Sequence, residues 1–199
     1  MKSKVLIAAC LLLGICLNSC NNGKTAFNKD KLDTVWNDKV QDTFFGLTLG
    51  DTMSADSIVT YMQDKGFYFN EYYSTNTLLH FTNSGSKYFS FGGFVWDFLY
   101  IGTYNNTLGC IRFLNTRKDK ADALDCYNSV KAALDKKYSP TDVAIKDTIT
   151  YAISKYCGRN KTTATVCCDR YESVGHSIWI DTSLQYCTEK WREKAHDEL

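Results

Sequence analysis

The sequence predicts an α+β fold: one antiparallel sheet in α-β(4–5)-α-β(3)-α order, with helices packed on one face. Three observations predict it. Five strand-like runs recur about every ten residues between Phe67 and Asn115, separated by turns that carry Asn, Ser and Gly. Two amphipathic helical stretches interrupt the strands, and three long alternating segments fill the region from Thr148 to Cys187.

The run Phe44-Phe45-Gly46-Leu47-Thr48-Leu49-Gly50-Asp51 reads as a short strand and turn that leads into a helix. Ser54 suits its N-cap, Ile58, Val59, Tyr61 and Met62 form its apolar stripe, and Gly66 suits its C-terminal cap. The strand-like runs are Phe67–Tyr73, Leu78–Thr82, Lys87–Phe91, Val95–Tyr104 and Leu108–Asn115. Asn83-Ser84-Gly85-Ser86 and Asn105-Asn106 mark two of the turns between them.

Asp119–Tyr138 is the longest expected helix, with Ala123, Cys126, Tyr127, Val130, Ala133 and Leu134 on one face. Pro140 prevents its continuation. The three later strands are Thr148–Cys157, Thr162–Tyr171 and His176–Cys187, joined through Gly158-Arg159-Asn160 and Ser173-Val174-Gly175. Thr188–Glu198 reads as a polar closing helix.

The first twenty residues place this domain in a cell. Lys2 and Lys4 give a positive start, Val5–Leu17 is apolar, and Ser19 is the small residue before a cut. The apolar run is shorter than the roughly 20 residues of a membrane span. Leu17-Asn18-Ser19-Cys20 resembles the lipobox of bacterial lipoproteins, which implies that Cys20 becomes a triacylated N-terminus and that a lipid bilayer is a partner. On that reading residues 1–19 are signal peptide, 20–42 a lipidated tether, and 43–199 one domain, divisible into two α-plus-meander units near 43–118 and 119–199. No acidic cluster follows Cys20, which favours the periplasmic face of the outer membrane. The rival address is His196-Asp197-Glu198-Leu199, which matches a retention signal of the endoplasmic reticulum lumen.

Without Lys2 and Lys4 the chain holds 21 basic and 22 acidic residues, so a nucleic-acid role is not expected. Six cysteines stay after processing, namely Cys110, Cys126, Cys157, Cys167, Cys168 and Cys187. Their even number permits disulfides in an exported chain without fixing the pairing, and buried free thiols are the alternative. There is no Cys-x-x-Cys, and the adjacent Cys167-Cys168 would point to opposite faces of a strand, so no metal site and no cofactor are expected.

Fourteen of the 28 aromatic residues lie between 67 and 104, the densest feature of the chain. Phe94, Trp96, Phe98 and Tyr100 share one face if the strand is continuous, and that face is the candidate binding surface. The competing account is that aromatics simply suit half-buried strands. Catalysis is not expected, because His80, His176 and His196 are scattered and no nucleophile or phosphate-loop motif occurs. Asp97 and Asp169 fall inside strands with no partner readable from spacing.

Residues 44–70, with a Gly-x-x-x-Gly opening, a helix and then Lys65-Gly66-Phe67, resemble small uncharacterised lipoproteins of gut Bacteroidota. The order of elements is similar to the β-lactamase-inhibitor-protein and outer-membrane-assembly lipoprotein folds. Asp33-Thr34-Val35, Asp51-Thr52-Met53, Asp56-Ser57-Ile58 and Asp147-Thr148-Ile149 resemble the O-glycosylation motif of Bacteroidota envelope proteins, which marks Thr34, Thr52, Ser57 and Thr148. Helix capping is the competing account for those beside Ser54. The expectation is a non-enzymatic envelope lipoprotein that binds an envelope protein or a glycan. The alternatives are an inhibitor or immunity-type protein against an exported enzyme, and a cryptic hydrolase or thiol enzyme.

Overall fold

The computed structural model describes residues 36–141, 149–171, 175–188 and 190. Alternation in the sequence is realised as one seven-stranded antiparallel sheet in the order β3-β4-β7-β8-β11-β10-β9. Its strands are β3 (Tyr68–Phe69), β4 (Leu78–Thr82), β7 (Phe98–Tyr104), β8 (Thr107–Arg117), β9 (Thr150–Cys157), β10 (Thr162–Tyr171) and β11 (Gly175–Leu184). Two small hairpins accompany it, β1 (Thr43–Phe44) with β2 (Leu47–Thr48) and β5 (Phe89–Phe91) with β6 (Phe94–Trp96).

Asn105 and Asn106, both at positive φ (48° and 56°), turn β7 into β8. That geometry fits a two-residue hairpin, which needs left-handed residues at both centres. β8 then pairs with β11, so strands from both halves of the chain share one continuous sheet.

Cross-strand rows alternate between the faces. Phe81, Leu99, Phe113, Ile180 and Val166 form one row of the main core, and Leu79, Ile101 and Ile111 belong to the next. Helix α1 (Ala55–Asp64) is capped by Ser54, whose side chain accepts from the Ser57 amide, and buries Ile58 and Met62 in that core. Its C-terminus closes as the sequence predicts. The Phe67 amide reaches Met62 O at 3.1 Å and the Gly66 amide reaches Gln63 O at 2.8 Å, with Gly66 at φ 89°.

Helix α2 (Lys120–Asp135) is capped by Asp119, which accepts from the Asp122 amide at 2.9 Å. It lays Ala123, Tyr127, Val130 and Leu134 against β8–β11, and the Tyr127 and Ser154 hydroxyls bond at 2.8 Å.

The α+β expectation is corrected here. Strand makes up 45% of the described residues against 24% helix, so the fold is a β-rich antiparallel sheet and not a balanced layer of helices on strands. The reason is local. The half of the core under β4 and β7 is filled by aromatic hairpins beside α1: Phe44 packs on Phe91 and Phe113 (centroids 5.1 and 5.6 Å), and Trp96 and Phe89 are fully buried. Of the expected closing helix Thr188–Glu198 only 188 and 190 are described, both helical, and the strand expected to reach Cys187 ends at Leu184, where helix begins.

The folded part also begins earlier than residue 43. Asn37 forms a parallel bridge with Gly158, its amide donates to Cys157 O at 2.9 Å, and its side chain brackets Ser139. Asn160 donates to Val40 O and to Asp42 Oδ2, which clasps the incoming chain to the β9–β10 turn. A Cβ on Gly158 would sit 2.7 Å from the Val40 amide nitrogen, so this approach requires glycine.

Candidate functional site

On the face of the sheet opposite the main core, register brings together residues that are far apart in sequence. His80, Tyr100, Arg112, Asp181, Thr165 and Lys155 lie in one row across six strands. The next row runs Thr82, Phe98, Leu114, Trp179, Cys167 and Ile153. Leu114, Cys167 and Trp179 form a second apolar cluster there, against Phe98, Tyr100 and Ile153.

The centre of this face is polar and closed. Arg112 Nε and Nη2 donate to Asp181 Oδ2 at 3.1 and 2.8 Å, and the guanidinium lies over the Trp179 ring at 4.7 Å. Trp179 Nε1 donates in turn to Asp169 Oδ2 at 2.8 Å, and Ser177 donates to the other Asp169 oxygen. Charges shielded to this degree are tolerated because each has hydrogen-bonded partners.

Towards the β3 edge the face becomes aromatic. The His80 ring is surrounded by Tyr73, Phe98 and Tyr100, with centroids at 5.6, 5.4 and 4.6 Å. It is 2% exposed and its Nδ1 has no hydrogen-bond partner among the described residues. Burial alone pushes its pKa down to about 4, so the imidazole is neutral at physiological pH. A 3-10 turn, Glu71–Tyr73, caps this box. Ser74 Oγ holds the turn by accepting from the His80 amide at 2.8 Å while donating to Asn70 O at 2.7 Å. The turn lifts Tyr72 and Tyr73 into solvent, 70% and 55% exposed, beside Tyr68 at 63%. The Tyr72 and Tyr73 rings meet edge-on at 4.9 Å.

The expected binding face is split. Phe94 and Trp96 belong to the β5–β6 hairpin and turn into the main core, where Trp96 is fully buried, whereas Phe98 and Tyr100 lie on the opposite face of the sheet. The cause is Asn115. Its Oδ1 accepts from the Asp97 amide at 2.6 Å and its Nδ2 donates to Val95 O at 2.9 Å, which bends the chain between β6 and β7 and breaks the alternation. The expected strand Phe67–Tyr73 is likewise cut to two residues by the 3-10 turn.

Of the glycosylation candidates, Thr52 and Ser57 are exposed beside the start of α1, and Ser57 also bonds the Ser54 cap. Cys20, Thr34, Thr148 and the tetrapeptide 196–199 lie outside the described residues. The six cysteines are all thiols, and all except the half-buried Cys126 are buried. Cys167 and Cys168 do point to opposite faces. Burial pushes the Cys168 thiol up to about 12, and those of Cys110 and Cys187 rise for the same reason. His176 bonds Tyr151 Oη at 3.0 Å rather than a carboxylate. Asp97 is exposed and Asp169 buried. No group of three or more His, Cys, Asp or Glu with metal-site geometry occurs among the described residues.

Sequence reasoning missed the Arg112–Asp181 pair and the Tyr68–Tyr73 edge. The first had a signal: Ile111-Arg112-Phe113 and Ile180-Asp181-Thr182 each place one charge inside an otherwise shielded strand. The second had a weaker one, since Asn70-Glu71-Tyr72-Tyr73 lacks strand alternation. Two surface grooves flank α1, one lined by Met53, Asp56, Thr60 and Asp64, the other by Phe45, Lys65, Phe67 and Lys87, and neither includes the tyrosine edge.

In comparisons with family models, curated proteins and solved structures, nothing matches this chain.

Proposed function

We propose that the protein is a lipid-anchored lipoprotein of the bacterial envelope whose domain binds a partner protein, without catalysis, through Tyr68, Tyr72 and Tyr73. The observation that carries this reading is the solvent exposure of three tyrosines on one short edge segment, held by the Ser74 bonds rather than left loose. Tyrosine contributes large, stiff contact area and is enriched where interfaces hold most of their energy. A protein fits this edge better than a glycan, because the rings stand out from the sheet edge and do not line a groove. The anchor comes from the Leu17–Cys20 lipobox.

The test is capture from envelope extracts with the mature protein and with a Tyr72→Ser/Tyr73→Ser variant. A specific envelope protein held by the wild type and lost by the variant supports the reading. Equal capture by both, or binding confined to a glycan array, overturns it. Intact mass of the membrane fraction tests the anchor separately: a triacyl adduct on a chain that begins at Cys20 is expected.

The projecting turn also favours a second reading, an inhibitor that inserts Tyr72 and Tyr73 into an exported enzyme. A captured partner that loses hydrolytic activity on binding distinguishes it.

A further inference from the structure

We propose that Cys110 and Cys187 are the two halves of a disulfide that forms as the chain folds and ties the C-terminal helical turn to the middle of the sheet. The oxidising compartment rests on the envelope reading above, whereas the pairing rests on the fold.

Cys110 lies on β8 directly across from Ser183 of β11, on the face away from the main core. β11 ends at Leu184 and the chain turns at once into helix over residues 185–188. That turn stays against the end of its own strand, because the Thr188 hydroxyl lies within hydrogen-bond reach of both Leu184 O (3.2 Å) and Ser183 Oγ (3.3 Å). Cys187, the preceding residue, is buried in this turn and close enough to Cys110 that its charge adds to the burial that raises the Cys110 thiol. Both side chains are shielded, 3% and 0% exposed.

The remaining cysteines are poor partners for Cys110. Cys157 shares its row, through Ser183 and Thr163, but stands three strand spacings away, about 14 Å. A disulfide needs Cα atoms within roughly 7 Å. Cys168 faces the main core and Cys126 lies on α2. Cys167 sits on the same face as Cys110 but two strands across, in the row of Trp179 and Leu114.

The chemistry balances with an external disulfide as oxidant. One cysteine thiolate attacks a sulfur of glutathione disulfide and releases one glutathione thiolate. The second cysteine thiolate displaces the other glutathione, which leaves a protein disulfide and two reduced glutathiones. Burial raises both thiols in the folded state, so exchange after folding is slow and the bond forms before the turn closes.

The mature protein, unfolded and reduced, is refolded in a glutathione redox buffer, alkylated, digested and mapped by mass. The expected result is a Cys110–Cys187 cross-linked peptide, lighter than the two thiol peptides together by about 2 Da. The cross-link should also raise the wild-type Tm by about 5 °C over the same protein in dithiothreitol, a difference that Cys187→Ser abolishes. Full alkylation of Cys110 and Cys187 after denaturation without reductant, or either one paired elsewhere, overturns the proposal. The buffer supplies its own oxidant, so failure here counts against the pairing and leaves the envelope reading to the Cys20 mass measurement.

Discussion

Arg112 donates from both Nε and Nη2 to a single oxygen of Asp181, while its guanidinium lies over the Trp179 ring. The pair is 8% and 9% exposed, beside the Leu114, Cys167 and Trp179 cluster. Removing one partner takes this shielded counter-charge from the other. Asp181→Ala is therefore expected to cost about 3–5 kcal/mol, and the double change Arg112→Met/Asp181→Leu far less. Urea denaturation of the three proteins measures this, and equal losses for single and double variants would contradict it.

His80 makes stability depend on pH. Its folded pKa is about 4 and its unfolded value near 6.5, so the unfolded chain binds the extra proton between those limits. The contribution is fully present above pH 6.5 and is lost as pH falls towards 4, by about 3 kcal/mol in all. His80→Phe removes the titrating group and should flatten this window in denaturation midpoints taken from pH 7 to pH 4. A variant as acid-sensitive as the wild type would show that other groups dominate.

Asn115 is expected to matter beyond its size. Its amide bonds both flanks of the bend at Val95 and Asp97, so Asn115→Ala leaves a shielded amide and a carbonyl with lost partners, at about 1–3 kcal/mol. Amide exchange should accelerate first in residues 89–96, the hairpin that this bend sets in place. Exchange that rises uniformly over the sheet would refute that role.

Gly158→Ala tests the N-terminal clasp. The added methyl would meet the Val40 backbone nitrogen at 2.7 Å, a contact that only a backbone shift relieves, at about 1–3 kcal/mol. The expected signature is faster amide exchange at residues 37–42 with strands β7 and β8 unchanged.

Much of the fold is legible in the sequence because period and punctuation agree there. β4 and β10 fall on the expected residues, and Ser54, Gly66 and the Asn105-Asn106 turn act as read. Alternation fails where a distant side chain overrides it. Asn115 lies eighteen positions from Asp97, and no local window reveals that it will break Val95–Tyr104 into two strands on different faces. The tyrosine edge was hidden for the same reason, since Ser74 pins the 3-10 turn through His80, six residues on. The balance of helix to strand was misjudged because aromatic hairpins share the face of the sheet that helices alone were expected to cover.

The clasp at Asn37 and the edge at Tyr72 stand at opposite ends of the strand order, β9 at one side and β3 at the other. Six strand spacings separate them, about 29 Å. On the proposed reading, a domain tethered at the Asn37 flank would carry its binding edge on the other, with the breadth of the sheet acting as a rigid outrigger. The sheet itself would then set the distance between mooring and grip.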